Sequence, residues 1–468
     1  MKNYKSTIEN NKILKEIAPY CQKYETCLVG GFLRDLLMGR ESSDIDLVVP
    51  AGCAKELCGE ICDGLGAYFV PLDEKNRIYR AVMPDKVTYI DIADIEGAGI
   101  EDDLRRRDFT MNSVAFDLKK GEFIDICGGI RDIEEKIIRE ISEKNITDDP
   151  LRILRAFRFQ SELGFRISAE LEEIIKKHFK ELSKSAKERV NAELVKLFAG
   201  FNAKNVLLAM DECGVLELIF PEVEKIRKIP PNSHHHLPLL GHCIETVGHV
   251  QEFCENAPPE AKNHFESLFC GAKRLGFLKL AAFLHDIGKP DTWTIEPETG
   301  RHRFIKHDDV GSKIVEKPLR DLKFSKKQIK YVQKLIKFHI YPASIVTGEN
   351  YTDKAVLRFY RKMEEEVFDV IAIAYGDRLS ARGPDITEKI VNDNINGLKN
   401  LMNRYIETKN RIQPLEKLLG GEEIMEILGI SQSPLLGRII KALKEAQISS
   451  EVRTKDEAVE FVRNYRED

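Results

Sequence analysis

The chain has 468 residues, a formal net charge of −5 and a pI near 6.2, which leaves room for roughly two to four domains and excludes a generally basic nucleic-acid coat. No run of about eighteen apolar residues occurs, and Met1-Lys2-Asn3-Tyr4-Lys5 lacks the apolar centre of a signal peptide, so no membrane contact is expected. Ten cysteines are scattered with no C-x-x-C pair, the usage of a reducing, cytoplasmic setting. Residues from Ile8 to Tyr24 read as an amphipathic helix feeding a strand, Cys27-Leu28-Val29. Short β-like runs follow at Ile45–Val49, Ala67–Val70, Ile78–Met83, Val87–Ile92, Val114–Leu118 and Phe123–Ile126, with helical segments between some of them, as in an α+β domain. From Asp149 onward the pattern is helical. Pro230-Pro231-Asn232-Ser233 has the composition of a boundary, and a second helical unit runs from His234 to Arg382. Gly420-Gly421 and Ser431-Gln432-Ser433-Pro434 punctuate a small helical tail.

Gly30-Gly31-Phe32-Leu33-Arg34-Asp35 followed by Asp44-Ile45-Asp46-Leu47 carries the most chemistry. The two-residue period of a strand puts Asp44 and Asp46 on one face, and oxygen ligands so placed suit Mg²⁺ together with substrate phosphates. The Gly30-Gly31 step lets backbone N–H groups, those of Gly31 among them, approach a triphosphate, with Arg34 as a charged clamp. Metal-dependent nucleotidyl transfer needs these parts. Asp91, within Val87-Thr88-Tyr89-Ile90-Asp91-Ile92, offers a third acid to take a proton from an attacking hydroxyl, against the competing reading of an exposed strand carboxylate. In Arg105-Arg106-Arg107-Asp108-Phe109-Thr110-Met111-Asn112, consecutive arginines suit triphosphate, while Asp108 and Asn112 suit ribose hydroxyls.

Asp149-Pro150-Leu151-Arg152 opens a helix on which Arg152, Arg155 and Arg158 form a spiral stripe, each step drifting about 60° from the last. Asp149 is a candidate both for the helix cap and for a ligand contact, and one role must give way. Residues 151–206 hold twelve Lys/Arg and seven Asp/Glu, a local excess of five positive charges. Lys184, Lys187 and Arg189 there fit a helix facing an A-form RNA stem, read by shape. Farther on, His242, His285-Asp286 and Asp377 make a metal-ligand set, because imidazole and carboxylate at the end of the apolar run Leu280–Leu284 are costly without a cation. His234-His235-His236 offers a further imidazole that could face a substrate phosphate.

The first of these motifs resembles the polymerase-beta-like palm of class II tRNA nucleotidyltransferases and bacterial poly(A) polymerases, and R-R-D-F-T-x-N is similar to that family's ribose-recognition string. The resemblance implies a palm over residues 1–145, a helical neck for nucleotide and RNA over 146–230, an HD domain over 231–400 and a helical tail over 401–468. It implies Asp44 and Asp46 as Mg²⁺ ligands, with Asp44, Asp46 and Asp91 catalytic. Gly31, Arg34, Arg107, Asp108, Asn112, Arg155 and Arg158 would bind nucleotide, and Asp149 with Arg152 would read the base edge of CTP or ATP. The H…HD…D pattern looks like an HD phosphohydrolase holding a divalent metal, of Mn, Ni, Co, Fe or Mg, on His242, His285, Asp286 and Asp377. His307 and His339 stand where larger HD sites recruit further ligands. The partner implied is a tRNA 3′ end and acceptor stem, extended from CTP and ATP without a template. Full CCA-adding enzymes usually carry a longer loop where this chain has Ile95–Ile100, so CCA, CC and A-only addition all stay open. Poly(A) synthesis is one rival; an HD-type phosphodiesterase or phosphatase with the palm as nucleotide sensor is another.

Overall fold

The computed structural model describes residues 4–40, 42–347, 352–409, 417–448 and 451–465. They fall into two units, residues 1–219 and 220–468. The first is built on strands β1 (Cys27–Val29), β2 (Asp44–Val49), β3 (Tyr68–Asp73), β4 (Ile78–Val82), β5 (Tyr89–Asp94), β6 (Ala115–Asp117) and β7 (Glu122–Ile124), in the order β3-β4-β5-β2-β1-β6-β7. Only β2 and β5 run parallel within this sheet; the other pairings are antiparallel. On β2, Ile45, Leu47 and Val49 are buried on one face, which leaves Asp44 and Asp46 together on the other.

The helix expected from Ile8 to Tyr24 is two helices, Tyr4–Asn10 and Lys12–Cys21. Asn11 divides them, because its side-chain oxygen accepts the N–H groups of Ile13 and Leu14, both at 3.1 Å, and so caps a new start. β5 begins at Tyr89, later than Val87, because Asp85 accepts the N–H groups of Val87 and Thr88, both at 2.9 Å, and holds them in a turn. After the sheet, helix Leu151–Leu163 buries Leu151, Ile153, Leu154, Ala156 and Phe157 and ends at Gly164, whose φ of +71° is the left-handed value of a helix stop. Helix Lys187–Ala199 packs along it through Leu194, Leu197 and Phe198.

The second unit is helical. Arg274–Leu284 is almost wholly buried and mostly apolar, its buried Lys279 donating to Gln251 at 2.6 Å, with Leu239–Asn256, Lys326–Phe338 and Val367–Ser380 packed around it. Lys326–Phe338 starts with a capping box between Ser325 and Gln328. A separate core of Leu419, Ile424, Leu436, Ile439, Leu443 and Val462 lies under the last three helices, from Gly421 to Arg463. Among the described residues no helix is long and apolar enough to cross a membrane. All ten cysteines are free thiols.

Candidate active site

The sheet register sets the acids. Asp46 lies between Val29 on β1 and Asp91 on β5, while Asp44 is opposite Tyr89 at the exposed start of β2. Helix Gly30–Leu37 begins directly after β1, and its first residue sits over Asp46. Gly30 has φ +72°, and a Cβ there would stand 2.6 Å from Asp46 Oδ2, so the close approach requires glycine. Gly31 donates its N–H to the same oxygen at 3.1 Å, which means that this amide meets the carboxylate rather than open space. Burial first, and then the neighbouring Asp91, push the Asp46 carboxyl up to about 6, against the pull of Arg107. Asp91 is gripped by Arg80 of β4, with Nε at 2.6 Å and an NH group at 2.8 Å. The three acids share a sheet face but do not converge: among the described residues they form no group of three donors within 4.8 Å. Asp44 and Asp46, side by side and largely free of cationic partners, are the pair that fits a hard divalent cation.

Beside them a cavity of about 450 Å³ is lined by Arg34, Arg106, Arg107, Arg152, Arg155, Arg158 and Arg189, with Gly30, Gly31, Asp108, Asn112, Asp149 and Phe159. Every nucleotide-binding residue expected from sequence is therefore gathered around one space. Arg34 donates to Asn112 Oδ1 at 2.9 Å and to Asp35 at 2.8 Å. Arg107 is held by Asp103 at 2.9 Å. Asp108 is buried and accepts from Arg155 at 2.7 Å, from Asn112 at 2.9 Å and from the Phe109 N–H at 2.8 Å. Burial alone would raise its carboxyl, but the Arg155 guanidinium and these donors hold it below the usual carboxylate range.

Arg152 donates to the Arg107 carbonyl at 3.0 Å and the Arg106 carbonyl at 2.8 Å, which ties helix Leu151–Leu163 to the arginine run. Asp149 caps only weakly, accepting the Leu151 N–H at 3.3 Å, and its stronger partner is Arg189 at 2.8 Å. Arg189, expected on an RNA-facing helix, thus reaches into the arginine-lined cavity. Sequence reading also missed Glu193, which pairs with Arg158 at 2.9 Å and Arg155 at 3.4 Å, and Phe159. The Phe159 ring lies under three guanidiniums, those of Arg158, Arg34 and Arg155, at 3.9, 5.0 and 5.4 Å from its centroid. Phe159 follows Arg158 directly in the arginine stripe, the one signal that marked it.

In the second unit His242, His285, Asp286, His307, His339 and Asp377 come together. His242 Nε2 is 3.2 Å from His285 Nε2 and 3.2 Å from Asp377 Oδ1, and His285 Nε2 is 3.2 Å from Asp286 Oδ2. The other oxygen of Asp286 faces His307 Nε2 at 3.3 Å and His339 Nε2 at 3.8 Å. Three of the rings are fixed from behind: Nδ1 of His285, His307 and His339 lies 2.7, 2.8 and 2.6 Å from the carbonyls of Ala282, Phe304 and Ile336. Those contacts put the proton on Nδ1 and aim Nε2 inward, the orientation of a metal-binding imidazole. Burial holds His339 down at about 3. Burial would lower His285 too, but Asp286 and Asp377 lift it to about 10: the cluster demands a positive charge. Among the described residues Asp286 Oδ1 and His242 Nδ1 find no hydrogen-bond partner, although both are buried. Divalent cations fit this donor set.

Known proteins resemble this chain over nearly its whole length. Residues 26–139 match the family model of the poly A polymerase head domain, residues 164–227 that of the RNA and SrmB binding site of polymerase A, and residues 307–462 that of tRNA nucleotidyltransferase domain 2. The CC-adding tRNA nucleotidyltransferase of Thermus thermophilus is 31% identical over 96% of this chain and 95% of its own. The A-adding tRNA nucleotidyltransferase of Deinococcus radiodurans is 31% identical over 94% and 95%. Among solved structures, the Thermotoga maritima CCA-adding enzyme complexed with tRNA shares the fold at a TM-score of 0.57 and 22% identity, covering 97% of this chain and 95% of that one. The palm acids, the arginine cavity and these likenesses over nearly the whole length lead to one conclusion: the chain belongs to the class II tRNA nucleotidyltransferase family, that of the CCA-adding enzymes and poly(A) polymerases.

Proposed function

We propose that this nucleotidyltransferase extends the 3′ end of tRNA from CTP and ATP without a nucleic-acid template, and that its principal product is the CC end. The observation that carries the CC reading is the five-residue link, 95–99, between β5 and helix Ile100–Arg105. Glu96 is tied there to Arg106 at 3.0 Å, and Asp102 accepts the Ala98 N–H at 2.9 Å, so the segment is short and fastened where full CCA-adding enzymes usually carry a longer flexible loop. Relatives named for CC addition and for A addition are equally similar in sequence, at 31% identity each, so the CC reading rests on this link alone.

As a nucleotidyltransferase the chain depends on a divalent metal ion, and Asp44 and Asp46 would hold it as Mg²⁺. Such an ion orients the triphosphate and lowers the pKa of the attacking hydroxyl. The tRNA 3′ oxygen attacks the α-phosphorus of CTP, and pyrophosphate leaves. Arg34, Arg107, Arg155 and Arg158 surround the phosphates and offset their charge. Asp108 and Asn112 meet the ribose hydroxyls. Asp149 accepts from the exocyclic amine of cytosine while Arg152 donates to its ring acceptors, as the base edge requires. Arg189, more than half exposed, releases Asp149 when the base enters. Free thiols support a cytoplasmic location.

The test supplies tRNAs ending at the discriminator base, at C and at CC with labelled CTP and ATP, separately and together. Arrest at CC is expected. Extension to CCA overturns the CC product, and homopolymer growth from ATP alone on arbitrary RNA makes the chain a poly(A) polymerase.

A second reading is favoured by the facing acceptors around Asp286. His242, His285, Asp286 and Asp377, joined by His307 and His339 across the two oxygens of Asp286, support an HD-type phosphohydrolase with two divalent ions. Cyclic or terminal phosphates on RNA ends are its substrate class. Metal-dependent hydrolysis of such ends, lost in His285→Ala, is the expected result, and hydrolysis that survives the substitution overturns it.

A further inference from the structure

Four residues after Pro231, the loop before helix Leu239–Asn256 brings His235 to the histidine–carboxylate centre. Its Nδ1 lies 3.2 Å from Asn232 Oδ1, which accepts its proton and leaves the Nε2 lone pair on the inner side. The ring stands edge-on to His242 with centroids 4.6 Å apart, and donor atoms of His235, His242 and Asp377 lie within 4.8 Å of one another. Lys289 Nζ is 3.4 Å from His235 Nε2 and 2.5 Å from Asp286 Oδ2, so positive charge is already favoured between these two donors.

The loop is not free to drift. The Asn232 N–H donates to the His235 carbonyl at 2.9 Å, the Gly383 N–H to His234 at 2.8 Å and the Asp385 N–H to Ser233 at 2.9 Å. A Cβ on Gly383 would stand 2.4 Å from the Ser233 carbonyl, so the loop lies directly against the backbone that follows the Asp377 helix. His235 and Asp377 are therefore positioned by one piece of structure.

We propose that His235 is a third imidazole ligand of one of the two ions, which makes the pair unequal. This rests on the two-ion hydrolase reading above. One ion takes His235, His242, His285, Asp377 and one oxygen of Asp286; the other takes His307, His339 and the remaining oxygen of Asp286. Three nitrogens and two oxygens favour a late first-row metal over Mg²⁺ and leave few coordination positions. The three-ligand ion keeps open positions for water or a phosphate oxygen, as catalytic sites do. The first ion is thus the tightly held one and the second the exchangeable one.

The test strips the full-length chain with chelator, in an Asp44→Ala background so that the palm takes no ion, and titrates it with Co²⁺. Visible absorption and metal content after gel filtration are read. Two ions per chain are expected, binding in a tight and a weak step. His235→Ala should weaken the tight step by about tenfold or more and leave the weak one in place, while His307→Ala does the reverse. His236→Ala is the matched control, circular dichroism checks folding, and His235→Asn serves if the alanine variant unfolds. Unchanged tight binding in the folded His235 variants, or joint loss of both ions, overturns the proposal. A parent that binds fewer than two ions overturns the two-ion reading instead.

Discussion

In the arginine-lined cavity, buried acids face guanidiniums: Asp108 meets Arg155, Asp103 meets Arg106 and Arg107, and Glu193 meets Arg155 and Arg158. Around Asp286 the arrangement is the opposite, since carboxylate oxygens and imidazole Nε2 atoms face one another. The first site is complete as protein, so on the proposed function a nucleotide would enter by exchanging partners already there. The second holds one protein cation, Lys289 at Asp286 Oδ2, but leaves the buried Asp286 Oδ1 facing the Nε2 atoms of His307 and His339, the side on which a cation fits. A polar cluster can thus be sorted by whether its charges are already paired.

The largest break in that comparison is expected at the palm acids. Asp44→Ala should lower single-turnover CMP incorporation by more than about a thousandfold while tRNA binding in a filter assay persists. Retained turnover would remove the palm from the mechanism. Arg155→Ala leaves Asp108 buried without its guanidinium and should cost about 3–5 kcal/mol in urea unfolding, since a stranded buried charge is worse than no pair. An effect under about 1 kcal/mol would place that pair among solvated ones. In the second unit, and in an Asp44→Ala background so that the palm takes no ion, Asp286→Asn should erase the rise in thermal stability that divalent ions give, about 3–4 kcal/mol at an ion concentration a few hundred times Kd. A variant still stabilised by ions would mean that the facing acceptors are not what binds them.

A smaller effect sharpens the picture of Asp46. Its carboxyl, raised to about 6 against an ordinary value near 3.8, keeps its proton in the folded chain at pH values where the unfolded chain has lost it. The ion-free fold therefore loses stability as pH rises from about 4 to about 6, and a cation bound there must displace that proton. The apparent affinity for the palm ion should fall about fivefold between pH 6 and pH 5, and a flat profile would show Asp46 ionised throughout.

The palm was legible because its chemistry is local: Asp44 and Asp46 share a face by strand period, and Gly30 is needed because a Cβ would strike Asp46. The arginine stripe was legible for the same reason, as three residues on one helix. The break at Asn11 was not, because an amphipathic pattern continues across a cap. Arg80 on Asp91, Arg189 on Asp149 and Glu193 beneath the stripe were invisible, since each joins separate elements and charged residues of this kind are ordinarily surface. His235 was seen only as one of three consecutive histidines, because the fold of the loop alone decides which of them turns inward.

The Phe159 ring under three guanidiniums has a consequence for how this cavity can change over evolutionary time. Arg34, Arg155 and Arg158 lean on one shared surface, so the effect of replacing any one depends on the other two. Such a site resists stepwise drift. Replacing two of these arginines should therefore cost an amount that differs from the sum of the single losses.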